Sequence, residues 1–99
     1  MVHTVRASFK FKEGKMNEIL ELLKSPEGLA FTRQCKGCLS IEVLTKNDDP
    51  DHMIIWQRWD SQEDHEAYFK IREEQGLIAK LGDMLEVPLS VERYTTVSV

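Results

Sequence analysis

From Val2 to Phe11 apolar and polar residues alternate, with Val5, Ala7, Phe9 and Phe11 on one face and Thr4, Arg6, Ser8 and Lys10 on the other. That period of two is the period of a half-buried strand. After Gly14 the period lengthens, and Met16, Ile19, Leu20 and Leu23 recur at the spacing of one helical face. Ser25-Pro26 stops this helix, and Leu29 and Phe31 mark a further turn or two of helix before Gly37. Alternation returns from Cys38 to Thr45, with Leu39, Ile41 and Val43 set against Ser40, Glu42 and Leu44. The Asn47–Asp51 cluster has turn chemistry, and His52 to Trp59 reads as a third strand in a hairpin with the second. Ser61 and Asp64 have the spacing of a capping box, so a second long helix starts there. Its inward stripe is His65, Tyr68, Phe69 and Arg72, and Gly76 separates it from a segment carrying Leu77, Ile78, Leu81, Met84 and Leu85. Pro88 closes the helical region, and the alternation from Val87 to Val99 predicts a long fourth strand.

This order predicts an α+β, ferredoxin-like βαββαβ fold, a four-stranded antiparallel sheet in the order 4-1-3-2 with helices on one face. The apolar odd-numbered positions Phe9, Ile41, Ile55, Trp59 and Leu89 should face the helices. The even-numbered face mixes Leu44, Ile54, Trp56 and Tyr94 with Arg6, Ser8, Glu42, Arg58 and Glu92. Water is a poor cover for that much aliphatic and aromatic surface, so a second copy is expected to pack on it. Arg6 with Glu92, and Arg58 with Glu42, are the expected cross-strand charge pairs.

Composition narrows the partners. A chain of 99 residues is expected to form one domain over 1–99, and at 41% hydrophobic and 30% charged it is an ordinary globular sequence. The net charge of −4 argues against a nucleic-acid groove or an anionic membrane surface, which need clustered Lys and Arg. No apolar run reaches membrane-spanning length and no signal-peptide core follows Met1, so a cytoplasmic location is expected. Cys35-Lys36-Gly37-Cys38 supplies half a zinc site with no second pair, and it opens a strand where redox motifs open a helix. His3, His52 and His65 lie far apart in the chain and lack the spacing of a helical metal site. No metal site is expected.

The segments Gly37-Cys38-Leu39-Ser40-Ile41-Glu42-Val43 and Trp56-Gln57-Arg58-Trp59-Asp60-Ser61-Gln62-Glu63-Asp64 resemble the antibiotic biosynthesis monooxygenase family of the dimeric α/β barrels. The resemblance implies a homodimer with facing sheets. It also implies oxygenation of a small phenolic or quinol substrate by dioxygen without cofactor, in a pocket between sheet and helices. By that resemblance Trp59 matches the pocket tryptophan, His65 stands where some members carry a pocket tyrosine, and Ile55 stands where those enzymes can carry an asparagine. Tyr68 occupies a position where many members have histidine, and the helical arginine of those oxygenases falls near Ala79 and Lys80. Residues 73–85 contain no histidine, which disfavours the haem-degrading branch. The candidate catalytic set is therefore His65 as base, Trp59, and Tyr68 as hydrogen-bonding partner. Phe9, Phe11, Ile55 and Phe69 are candidate walls, and Arg72 or Lys80 the candidate anion stabiliser, although both cations are expected to be solvated. The alternative is a homodimeric small-molecule-binding or stress-associated barrel without turnover, in which Trp59 and Phe69 are plain core.

Overall fold

The period-two stretches become strands and the helical-period stretches pack on one of the sheet's faces. In a computed structural model, which describes residues 2–99, the chain runs β1 (His3–Lys10), α1 (Met16–Lys24), α2 (Leu29–Gln34), β2 (Cys38–Lys46), β3 (Asp49–Trp59), α3 (Gln62–Glu74), α4 (Leu77–Met84) and β4 (Ser90–Thr95). The four strands are antiparallel in the order β2-β3-β1-β4, the ferredoxin-like arrangement that the sequence predicts. Phe9 from β1 and Phe11 just beyond its end, Ile41 from β2, and Met53 and Ile55 from β3 meet Met16 and Ile19 of α1 and Leu81 of α4 in one core. Phe9 and Phe11 stack with ring centroids 5.8 Å apart. Among the described residues no helix is long and apolar enough to cross a membrane.

Two glycines set the layout around α3. Gly37 has φ +85°, a conformation that favours glycine, and any Cβ there would collide with the Asp64 side chain. Its carbonyl accepts from Asp60 N at 2.8 Å, which fixes the turn from β3 into α3. Ser61 then caps the helix, its Oγ accepting from Asp64 N at 3.1 Å. Gly28, by contrast, is needed for close approach, because a Cβ there would strike the carbonyls of Leu22 and Leu23.

Several sequence expectations are corrected by the register. β2 is irregular between Cys38 and Ser40, so Cys38 pairs with Trp59 on the helix side while Leu39 turns outward and is 49% exposed. Extra residues in one strand shift side-chain phase in this way. The same register sets Arg58 opposite Ser40 and Glu42 opposite Trp56, so Glu42 and Arg58 share a face but stand diagonally and form no ion pair. Arg6 and Glu92 are directly opposite and do pair, at 2.6 Å. The hairpin turn is confined to Asn47 and Asp48, and β3 begins at Asp49 with Pro50 inside a second irregularity, where a missing N–H is tolerated. β4 ends at Thr95 and does not run to Val99, because its partner strand ends: Thr95 pairs with His3, and Thr96 N donates to Val2 O at 3.2 Å.

The sheet's second face is open. Trp56 and Tyr94 approach across β1 with ring centroids 6.3 Å apart, and Thr4 between them is buried. Ser8 Oγ and His52 Nε2 are 2.8 Å apart, and Lys10 reaches Asp49 at 2.7 Å. Leu44 and Tyr94 remain more than two-fifths exposed.

Candidate functional site

Between sheet and helices lies an apolar cavity of about 60 Å³. β1, β3 and β4 form its floor, α3 one wall, and α4 with Leu89 its roof. Of the eight sequence-predicted residues, six line it: Phe9, Ile55, His65, Tyr68, Phe69 and Arg72. Trp59 and Phe11 lie behind that lining, both with no exposed surface. Trp59 Nε1 donates to Gln57 Oε1 at 3.0 Å, and its ring sits 5.0 Å from that of Tyr68 and 5.6 Å from that of His65, centroid to centroid. It braces the two polar rings from below. Outside the roof, a larger groove of about 380 Å³ runs between α4 and the segment from Leu85 to Leu89. Phe9, Ile78, Leu81 and Leu89 line both spaces, so those side chains are the partition between cavity and groove.

Arg72 is corrected from a solvated cation to a buried one, 4% exposed. Nε donates to Tyr68 Oη at 3.0 Å. Nη1 donates to Glu27 O at 2.8 Å and Gln75 Oε1 at 3.1 Å, and Nη2 to Gly28 O at 2.8 Å and Thr32 Oγ1 at 3.0 Å. A guanidinium carries five N–H groups, and all are used. The plane also lies over the Phe31 ring at 4.6 Å and the Tyr68 ring at 5.3 Å. Arg72 thus ties α3 to the α1–α2 connection, where Gly28 can bring its carbonyl close only because it lacks a side chain. Its charge faces the cavity wall, but it has no N–H left for a ligand. Tyr68 is likewise committed, its hydroxyl lying 2.9 Å from Thr32 Oγ1 as well as accepting from Arg72. Lys80 is exposed, as expected.

His65 is 2% exposed, in the first turn of α3. Burial, then the Arg93 guanidinium, then His3 push its pKa down to about 4 against a weaker upward pull from Glu66, so the ring is neutral at pH 7. The histidines are not all apart: His3 and His65 come to 6.3 Å between ring centroids, with Arg93 between them. His3 is pushed down in the same direction, chiefly by burial. Sequence reasoning missed this cluster, although His3 and Arg93 both fall in the odd-numbered series that faces the helices. Among the described residues no group of three or more His, Cys, Asp or Glu side chains is placed to hold a metal. Cys35 and Cys38 are free thiols, and burial raises the pKa of each, which keeps them protonated and slow to react.

The fold and site together define a ferredoxin-like α+β protein with an apolar internal cavity that holds a neutral histidine and a buried arginine in its wall. The sequence model of the antibiotic biosynthesis monooxygenase family matches residues 2–75, and the chain belongs to that family. Solved structures of similar fold include Rv0793 from Mycobacterium tuberculosis, at a TM-score of 0.84 and 18% identity over 100% of this chain and 98% of that one. A conserved protein from Methanosarcina mazei Go1 aligns at 0.84 and 18% over 95% and 91%. Protein SO0527 from Shewanella oneidensis aligns at 0.78 and 22% over 94% and 88%. No curated protein matches the chain.

Proposed function

We propose that the chain is a homodimeric, cofactor-independent monooxygenase acting on a small quinol or polyphenol held between sheet and helices. The observation that carries this reading is the pairing of neutral His65 with buried Arg72 in the wall of one apolar cavity. Oxygenation without a cofactor needs a substrate that ionises to an electron-rich anion and passes an electron to dioxygen. One oxygen atom enters the substrate as a carbonyl and the other leaves as water, so the substrate supplies every electron. The protein must stabilise the anion and exclude water. Arg72 does the first through its field, which is strong in a low-dielectric wall even with no N–H free. His65 supplies the hydrogen-bonding group that meets the substrate oxygen, while Phe9, Ile55 and Phe69 exclude water. Trp59 and Tyr68 hold His65 in place, and Phe11 backs Phe9. A ring needs more room than about 60 Å³, since even benzene fills an engineered cavity of ~150 Å³. Binding therefore displaces the partition of Ile78, Leu81 and Leu89 toward the outer groove, with Gly76, at φ +79°, as the flexible joint before α4.

The test is protein-dependent oxygen uptake on a hydroquinone panel. Wild type should consume oxygen, His65→Ala should fall by ~10²-fold as when one preorganised donor is removed, and Trp59→Phe should fall less. The narrowness of the cavity favours a second reading, a dimeric binder without turnover. Ligand-dependent stabilisation with no oxygen uptake across the panel would select it.

The dimer is proposed from the open face, where Leu44, Ile54, Trp56 and Tyr94 surround the Arg6–Glu92 pair. Sedimentation at micromolar concentration should give twice the 11.5 kDa chain mass, and a species of 11.5 kDa would overturn it.

A further inference from the structure

Three polar side chains from three elements converge beside the cavity. Arg93 on β4 places a single nitrogen, Nη1, 3.0 Å from His3 Nε2 on β1 and 3.1 Å from His65 Nδ1 on α3. A guanidinium only donates, and it stays protonated at any pH a folded protein meets. Each imidazole nitrogen that faces it must therefore be the bare one. Nη1 carries two hydrogens, one for each acceptor. The ring proton of His3 is then on Nδ1, and that of His65 is on Nε2.

We infer that Arg93 is a positioning residue that locks His65 as its Nε2–H tautomer, so that His65 meets a cavity ligand as a hydrogen-bond donor and not as a base. The frame around the ring is rigid enough to hold one choice. Ser61 fixes the first turn of α3, the Trp59 ring meets His65 edge-on at 66°, and the Phe69 ring centroid lies 6.1 Å from that of His65. Arg93 is held in turn by register, since it stands opposite Val5 while His3 stands opposite Thr95, one step along the same face. The hydrogen bonds of the described residues leave His65 Nε2 without a protein partner.

The ligand class follows from the donors. Tyr68 and Arg72 have their polar groups engaged within the protein and Gln57 Oε1 accepts from Trp59 Nε1, so the donors the lining leaves for a ligand are the Nε2–H of His65 and the amide NH2 of Gln57, in an otherwise apolar space. It suits a mostly apolar molecule that brings one acceptor oxygen inward, either a carbonyl or the oxyanion of a phenolate or enolate. An anion would have to arrive already ionised or lose its proton to water, because the bare nitrogen of His65 is occupied by Arg93. This ligand assignment rests on the cavity being the functional site; the tautomer assignment does not.

Nitrogen-15 NMR of the full chain labelled at histidine, at pH 7 without ligand, reads the tautomer directly. In wild type His65 should show a protonated Nε2 and a bare, hydrogen-bonded Nδ1. Arg93→Met should convert the ring to a mixture with substantial Nδ1–H, and Arg93→Lys, which keeps a cationic donor, should restore most of the wild-type signature. A wild-type His65 protonated on Nδ1 would overturn the inference, whether or not the variants fold. So would an unchanged tautomer in folded Arg93→Met. Since no substrate is present, a failed oxygen-uptake assay and a failed tautomer assignment are distinguishable.

Discussion

Arg72→Met is expected to lower the stability of the fold by about 3 kcal/mol, measured as the free energy of unfolding in urea. Two effects oppose each other at this site. Removing a buried cation that takes part in none of the ion pairs among the described residues relieves a desolvation cost, and a hydrophobe of similar length could fill the space. The acceptors do not leave with it, however. The carbonyl of Gly28 is buried and cannot be mutated away, and Thr32 Oγ1 is buried beside it. An orphaned buried acceptor costs about 1–3 kcal/mol, and two or more outweigh the relief. Arg72→Lys should recover little of the loss. An ammonium is a point donor, and it cannot span two carbonyls and three side-chain oxygens with the spread of a planar guanidinium. A variant as stable as wild type would show that the α1–α2 connection rearranges to find water.

The second large effect is on pH dependence. His65 titrates near 4 in the folded chain, whereas an unfolded histidine titrates near 6.5. Between those values the unfolded chain binds the extra proton and the folded chain does not, so stability is full above about pH 6.5 and falls as pH drops toward 4. Allowing for partial solvent screening, the loss is on the order of 2 kcal/mol. His3, shifted in the same direction, adds to it. His65→Gln keeps an acceptor for Arg93 but cannot titrate, so its unfolding free energy should decline less than that of wild type over the same range. Parallel declines for the two proteins would mean that His65 is not held neutral by its burial and by the cation beside it.

Where chain order and side-chain phase carry the information, the sequence is a good guide. The alternation of β1 and β3 and the helical spacing of Met16, Ile19, Leu20 and Leu23 lead directly to the ferredoxin-like topology and the strand order. Phase fails where a strand is irregular. Leu39 reads as inward, and the shift after Cys38 turns it out; the same shift sets Glu42 diagonal to Arg58. The end of β4 is also invisible to pattern, because Val97 and Val99 continue the alternation beyond the last partner residue of β1. Chemistry misleads in a different way. The stripe puts Arg72 inward, but the ordinary behaviour of arginine puts it in water, and only the carbonyls brought close by Gly28 reverse that. The His3–Arg93–His65 cluster joins residues up to 90 apart, and nothing local signals it.

The partition between cavity and groove has a consequence for how this chain could be re-specified. The match to the family ends at residue 75, just after Arg72, while Ile78, Leu81 and Leu89 all follow it. His65, Tyr68, Phe69 and Arg72 thus lie inside the matched segment, as does Phe9, while the other three side chains of the partition lie beyond it. Exchanging residues 77–89 with those of a relative should therefore change the partition while keeping His65 and Arg72 in the wall beneath it, in the manner of a die changed in an unaltered press.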